Sequence, residues 1–227
     1  MRLLVFNASP RGARSNSLAI IKHFLEGFEY SSREKPDIET VNLINERDDY
    51  AALREKLLVA DRVVFAFPLY VDSMPGFLME FFETLILLKG ALSGKEFLFS
   101  IQCGFPETLN LRPLERYLVR LTGKFGAAYA GCICRGGMEG TRYMPADAPI
   151  FRKYRELGRI YAETGKLDPG ILGEIASPEK LPRPVMLIAS VLGRMGLMNG
   201  YWKKQLKKNG AYEKRHARPY DPTHLPR

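Results

Sequence analysis

Between Asn7 and Ser17 the chain reads Asn7-Ala8-Ser9-Pro10-Arg11-Gly12-Ala13-Arg14-Ser15-Asn16-Ser17, a segment dense in groups that can hold an anion. Ser9, Ser15 and Ser17 offer hydroxyls, Asn16 an amide and Arg11 a positive charge. Leu18, Ile21, Leu25 and Phe28 follow at spacings of three, four and three, so a helix with one apolar face starts where the segment ends. A helix N-terminus carries unpaired N–H groups and the positive end of a dipole, both suited to a phosphate. A Walker-type loop needs Gly-Lys-Ser/Thr after its first glycine, and no lysine lies here. A dinucleotide fingerprint needs three spaced glycines, and only Gly12 is present. A hydroxyl-rich, glycine-poor loop suits a terminal monophosphate. The plainer reading stands beside it: Ser15 or Asn16 caps a helix, and the rest is an ordinary turn.

Three further loops carry chemistry. In Pro68-Leu69-Tyr70-Val71-Asp72-Ser73-Met74-Pro75-Gly76, Pro68 forces an extended start and Tyr70 offers a flat face with a hydroxyl. The same residues also suit a simple strand-to-helix connection opened by Pro75. Gln102-Cys103-Gly104-Phe105 contains a glycine that permits close backbone approach, and Gly136-Gly137 is a turn or a ligand contact. Cys103 reads as a structural thiol in preference to a redox one. Cys132 and Cys134 alternate along a strand with no histidine nearby, so no metal site is expected. His23, His216 and His224 are scattered, and no nucleophile–base pair presents itself; no side chain is assigned a catalytic role.

The elements that must position these loops alternate regularly. Arg2–Phe6, Ile38–Leu43, Val63–Phe67, Phe97–Ile101 and Phe125–Cys134 read as strands. Helices are expected from Leu18, over Asp48–Ala60, Phe77–Lys89, Glu107–Thr122 and Ala146–Thr164. Strand–helix alternation means a parallel sheet with right-handed crossovers and helices on both faces. Ligands of such α/β sheets bind at the carboxyl ends of the strands, where the four loops lie.

Asn7-Ala8-Ser9-Pro10-Arg11 with Ser15-Asn16-Ser17 resembles the phosphate loop of the NADPH-dependent FMN reductase family. Pro68 to Gly76 resembles that family's second signature, and both fall at the matching places in the strand order. The resemblance covers roughly residues 1–166. It implies a flavodoxin-like doubly wound five-stranded parallel sheet of order 2-1-3-4-5 that binds FMN. The phosphate would then lie at Ser9, Arg11, Ser15, Asn16 and Ser17. The isoalloxazine would run along Pro68, Leu69, Tyr70 and Val71, with Ser73 close by. Cys103 and Gly104 would lie on the ring's other side, with Gly136 and Gly137 near the mouth. The family's loop after the fourth strand is often richer in glycine than this one. Relatives that hold an iron–sulfur centre have a cysteine cluster after the second strand, which this chain lacks, so none is expected. The implied activity is electron transfer from NADPH or NADH, through FMN, to a small acceptor such as a quinone, free flavin or nitro compound. A flavin-binding electron-transfer protein without nicotinamide activity is the alternative, although such flavodoxins are typically acidic and this chain carries +9.

From Tyr201 to Arg227 eight Lys or Arg face two acidic residues, which supplies +6 of that total. The rest of the chain is nearly balanced, which argues against nucleic acid as a partner. Residues 167–227 are expected to form an extension comprising a linker, an apolar helix over Val185–Trp202 and a basic tail ending in extended residues from Arg218. An arm packed on its own domain or a second subunit is preferred over a segment lying on an anionic membrane. The apolar Phe77–Lys89 helix and this arm point to a homodimer or higher oligomer. Three cysteines without a disulfide framework, and no leader-like or membrane-spanning stretch, lead to a cytoplasmic expectation.

Overall fold

The strand β1 (Arg2–Asn7) is buried on both faces, and its side chains divide by parity. Leu4 and Phe6 enter one apolar cluster, while Leu3 and Val5 enter the other. A computed structural model describes residues 1–88, 90–196 and 199–218. Within it, β2 (Asp37–Asn42), β3 (Arg62–Pro68), β4 (Glu96–Gln102) and β5 (Ala128–Arg135) join β1 in a five-stranded sheet of order β2-β1-β3-β4-β5. Every pairing is parallel, so the expected fold and strand order are those observed. Register sets Phe6 beside Phe65 and Phe65 beside Phe99. Their rings stack at 5.2 and 5.6 Å, forming an aromatic row across three strands.

Helices α2 (Tyr50–Val59), α3 (Gly76–Thr84) and α4 (Arg112–Phe125) lie on the face of that aromatic row. Helices α1 (Asn16–Ser31) and α5 (Pro149–Thr164) cover the other face. The two cross very closely, because Gly27 and Gly158 leave no Cβ between the backbones. A Cβ on Gly158 would stand 1.9 Å from the Phe24 carbonyl oxygen. The short α6 (Pro169–Ile175) adds Ile175 to the same cluster.

Several element bounds differ from the sequence reading. The helix expected over Phe77–Lys89 is α3 followed by a 3-10 turn at Leu85–Leu88; Lys89 lies outside the described residues. Glu107–Thr122 divides into a 3-10 turn at Thr108–Leu111 and α4, which runs on to Phe125 and shortens β5 at its start. α5 starts at Pro149 because Ala148, preceding a proline, is held extended at ψ 143°. The helix expected over Val185–Trp202 is two helices, α7 (Arg183–Arg194) and α8 (Gly200–Lys208). Gly196, at φ 72°, bonds back to the Gly193 carbonyl and ends the first.

The chain forms two compact units, Met1–Lys180 and Leu181–Arg227. The first includes residues 167–180, which the sequence reading placed in the extension. The second carries α7 and α8; its tail beyond Arg218 lies outside the described residues.

Candidate functional site

Because all five strands are parallel, β1, β3, β4 and β5 end at one edge of the sheet, at Asn7, Pro68, Gln102 and Arg135. Asn7 organises the first loop. Its side-chain amide donates to the Gly12 carbonyl at 2.8 Å and to Asn42 Oδ1 at 2.7 Å. Its Oδ1 accepts from the Ser15 hydroxyl at 3.0 Å. Ser15 Oγ in turn accepts from the Leu18 N–H at 3.1 Å, capping α1. The Ser15 proton is therefore committed to Asn7, and its oxygen to the helix. The N–H groups of Asn16 and Ser17 remain as the first-turn donors facing outward from α1.

Asn16 is buried and its amide donates to the carbonyls of Met138 and Glu139, at 2.9 and 3.1 Å. This ties the start of α1 to the loop after β5. Ser17, also buried, accepts a long hydrogen bond of 3.4 Å from Gln102 Nε2. Ser9 is buried, and its oxygen accepts from the Arg11 N–H at 3.4 Å, which leaves the hydroxyl proton for a ligand. Arg11 stands at the mouth, 3.7 Å from Glu139, with both side chains about half exposed.

These groups surround a cavity of about 140 Å³ lined by Ser9, Arg11, Asn16, Pro68, Leu69, Tyr70, Gln102, Cys103, Gly104 and Glu139. Eight of the fourteen residues singled out in the sequence thus line one cavity. Ser15, Ser17, Val71, Ser73, Gly136 and Gly137 do not line it. Gln102 and Glu139 line it without having been singled out. Gly136 is buried, and a Cβ there would meet Phe105 O at 2.8 Å, so it serves the packing of two loops. The neighbouring Gly137, at φ 71°, donates to Phe105 O.

The loop after β3 is a tight turn. Tyr70 and Ser73 exchange N–H···O bonds of 2.8 and 2.9 Å, and between them Val71 and Asp72 have φ of 47° and 59°. Two consecutive left-handed residues make a turn normally built from Asn and Gly. A β-branched residue there is strained, and such strain clusters at ligand sites. The turn holds Tyr70 at the cavity wall, and the Leu69 N–H is fixed on Gln102 O at 2.8 Å.

Cys103 is buried, and burial pushes its thiol up despite the contact with Phe105 O. Protonated at neutral pH, it is a wall of the cavity. Cys132 and Cys134 lie 3.5 Å apart, with Glu115 joining them so that one ligand atom from each falls within 4.8 Å. Burial raises the Cys132 thiol, and Glu115 is paired with Arg112 at 2.8 Å. The cluster therefore reads as packing. A larger groove lined by Met79, Phe82, Ile86, Tyr117 and Leu121 lies between α3 and α4. Its walls are mainly apolar.

The all-parallel sheet of order β2-β1-β3-β4-β5, with helices on both faces and a cavity at the carboxyl edge, defines a flavodoxin-like α/β protein. The sequence pattern described as the flavodoxin-like fold matches residues 1–156, and the chain belongs to that family. No curated protein matches it in sequence. Among solved structures it is similar to an FMN-dependent NADH-azoreductase from Bacillus anthracis, at 15% identity and TM-score 0.56, covering 72% of this chain and 98% of that one. It is also similar to an NAD(P)H:quinone oxidoreductase from Methanothermobacter marburgensis, at 15% identity and TM-score 0.54, covering 74% and 97%. A third similar structure is an apo NADH:FMN oxidoreductase, at 17% identity and TM-score 0.55, covering 82% and 98%. At these identities the likeness is one of fold.

Proposed function

We propose that the cavity at the carboxyl edge of the sheet binds FMN, and that the chain is an NAD(P)H-dependent oxidoreductase delivering electrons to a small acceptor such as a quinone, free flavin or nitro compound. The observation that carries this reading is the convergence of three loops on one cavity. The Ser9–Arg11 loop supplies anion donors, while Pro68–Tyr70 and Gln102–Gly104 supply an uncharged wall. The residues present fit the group. The buried Ser9 hydroxyl has a proton to donate, and Asn16, the first residue of α1, lines the same cavity. Arg11 provides the counter-charge. The reading is supported by the shared fold of the FMN-dependent NADH-azoreductase, the NAD(P)H:quinone oxidoreductase and the NADH:FMN oxidoreductase named above.

When bound, FMN supplies a ring that accepts a hydride and passes its electrons on. The protein's part is binding and orientation. Ser9, the α1 N-terminus and Arg11 hold the phosphate. The Pro68–Tyr70 backbone, fixed by the bond from Leu69 N–H to Gln102 O, gives the ring a rigid edge to rest on. The Cys103 thiol stays protonated and lends no chemistry. No side chain is needed to move a proton.

The test is spectroscopic. Purified protein reconstituted with FMN is expected to show bound-flavin absorbance that NADPH or NADH bleaches under anaerobic conditions. Protein that takes up no FMN overturns the reading. A bound flavin bleached by dithionite and untouched by either nicotinamide would make the chain an electron carrier instead.

A further inference from the structure

The unit Leu181–Arg227 holds features that the flavin site does not use. It has ten Lys or Arg against two acidic residues, whereas the preceding 180 residues have twenty-four against twenty-three. Nearly all of the net +9 is therefore concentrated in this unit. In α7, Leu187, Val191 and Met195 recur every four residues beside Ile188 and Leu192, making one apolar stripe. Arg183, Ser190 and Arg194 form a polar strip along one flank of that stripe, beside Leu187. In α8, Tyr201 and Trp202 precede Lys203, Lys204, Lys207 and Lys208.

Neither helix has a buried residue. Leu187 is 68% exposed and Trp202 62%. An apolar stripe of this kind calls for a cover, and charge decides which one. A second copy would bring two strongly cationic units together, which repel. A surface that is anionic outside and apolar beneath satisfies both the lysines and the stripe. Trp and Tyr, each with an apolar body and a polar edge, favour that boundary. No described helix is long and apolar enough to cross a membrane, so the geometry is that of a segment lying in the surface plane.

We propose that this unit docks on an anionic phospholipid bilayer, with the Leu187–Val191–Met195 stripe in the acyl boundary and the α8 lysines among the headgroup phosphates. The proposal is independent of the flavin reading.

Trp202 is the chain's single tryptophan, which makes the experiment clean. Full-length protein is floated with vesicles of phosphatidylglycerol and phosphatidylcholine, and with phosphatidylcholine alone, while Trp202 emission is recorded with and without brominated lipid. Flotation with the anionic vesicles only, a blue shift and bromine quenching are expected, with binding weakened at about 0.5 M salt. Replacing Lys203, Lys204, Lys207 and Lys208 together by Gln should lower partitioning on the order of a hundred- to a thousand-fold. Leu187→Asp with Val191→Asp should abolish the blue shift while circular dichroism and thermal melting stay those of the parent. Failure to float at low salt overturns the proposal, as does flotation with unchanged Trp202 emission. A dimer that the Leu187→Asp/Val191→Asp variant converts to monomer would assign the stripe to a second copy and also overturn it.

Discussion

Gly158→Ala in α5 is a substitution whose sign the structure reverses. Alanine in place of glycine in a helix interior ordinarily stabilises by about 1 kcal/mol, through backbone entropy in the unfolded chain. Here the new Cβ would stand 1.9 Å from Phe24 O and 2.9 Å from Phe24 C on α1, all of it backbone that no rotamer change can clear. Gly27 makes the reciprocal approach, with a Cβ 1.8 Å from Arg155 O. Helix α1 would have to retreat by roughly an ångström or more, loosening contacts around Phe24, Phe28 and Tyr161. Overpacking of this kind costs about 1–3 kcal/mol, and backbone overlap puts it at the upper end. After subtracting the helix gain, about 2 kcal/mol of destabilisation remains. At about 2–4 °C per kcal/mol for a domain of this size, that is a Tm drop of roughly 4–8 °C. Gly123→Ala in α4 is the control, because its Cβ would meet nothing within 4 Å. It should raise Tm by about 2–4 °C. Thermal melts followed by circular dichroism read both. Since α1 also carries the proposed phosphate donors, FMN affinity should fall in Gly158→Ala and stay unchanged in Gly123→Ala. If Gly158→Ala melts at or above the parent temperature, the close crossing of α1 and α5 is refuted.

The exposed Val71, held at φ 47°, should melt higher as Val71→Asn by up to about 1 kcal/mol, because Asn tolerates the left-handed region; a lower Tm would deny the turn. Glu139→Gln releases Arg11 and removes a negative charge from the mouth, so FMN titration should show about two- to five-fold tighter binding, and weaker binding would contradict the placement. Hydrogen bonds from Lys56 and Arg2 hold the Glu39 carboxyl below its ordinary 4.5. Its contribution is thus full above that value and is lost as pH falls through the lower folded one. Glu39→Gln should therefore lower Tm near neutrality and converge with the parent in acid; a constant gap across pH would remove the ionic explanation. The three cysteines are buried, so Ellman's reagent should react slowly with native protein and titrate three thiols in denaturant; one fast native thiol would show Cys103 open to solvent.

Much of this architecture was legible because the relevant physics is local. The apolar runs of β1 and β3 have no polar face, as a strand covered on both sides requires, and the alternation with helices dictates a parallel sheet. Parallel strands end together, so loops 60 residues apart in sequence could be assigned to one edge before any contact was seen. What the sequence could not show is chemistry set by distant partners. Glu139 lines the cavity because Asn16 binds its carbonyl, a contact 123 residues apart that no spacing signals. The left-handed turn at Val71-Asp72 escaped because neither residue type advertises a positive φ. The break after α7 was readable in principle, from Gly193, Gly196 and Gly200 inside the apolar run, but small residues equally suit close packing.

The first loop shows why counting polar residues is not counting ligand donors. Read as types, Ser9, Ser15, Asn16 and Ser17 are four equivalent candidates. Hydrogen bonding separates them. The Ser15 proton goes to Asn7 and its oxygen caps α1, while both Asn16 amide protons go to the loop after β5. Capping and anion binding, which looked like rival readings of one segment, are thus divided among neighbouring residues and depend on each other. The cap and the Asn16 bonds fix where α1 begins, and that start aims its free N–H groups. Ser17 only accepts, from Gln102, but it does not line the cavity, so the hydroxyl left there to meet a phosphate is that of Ser9. Ser9→Ala should consequently weaken FMN binding with little change in Tm, whereas Ser15→Ala should lower Tm by about 1 kcal/mol's worth and weaken binding only through the displaced helix start. Equal effects of the two substitutions on both readouts would show that this division of labour is wrong.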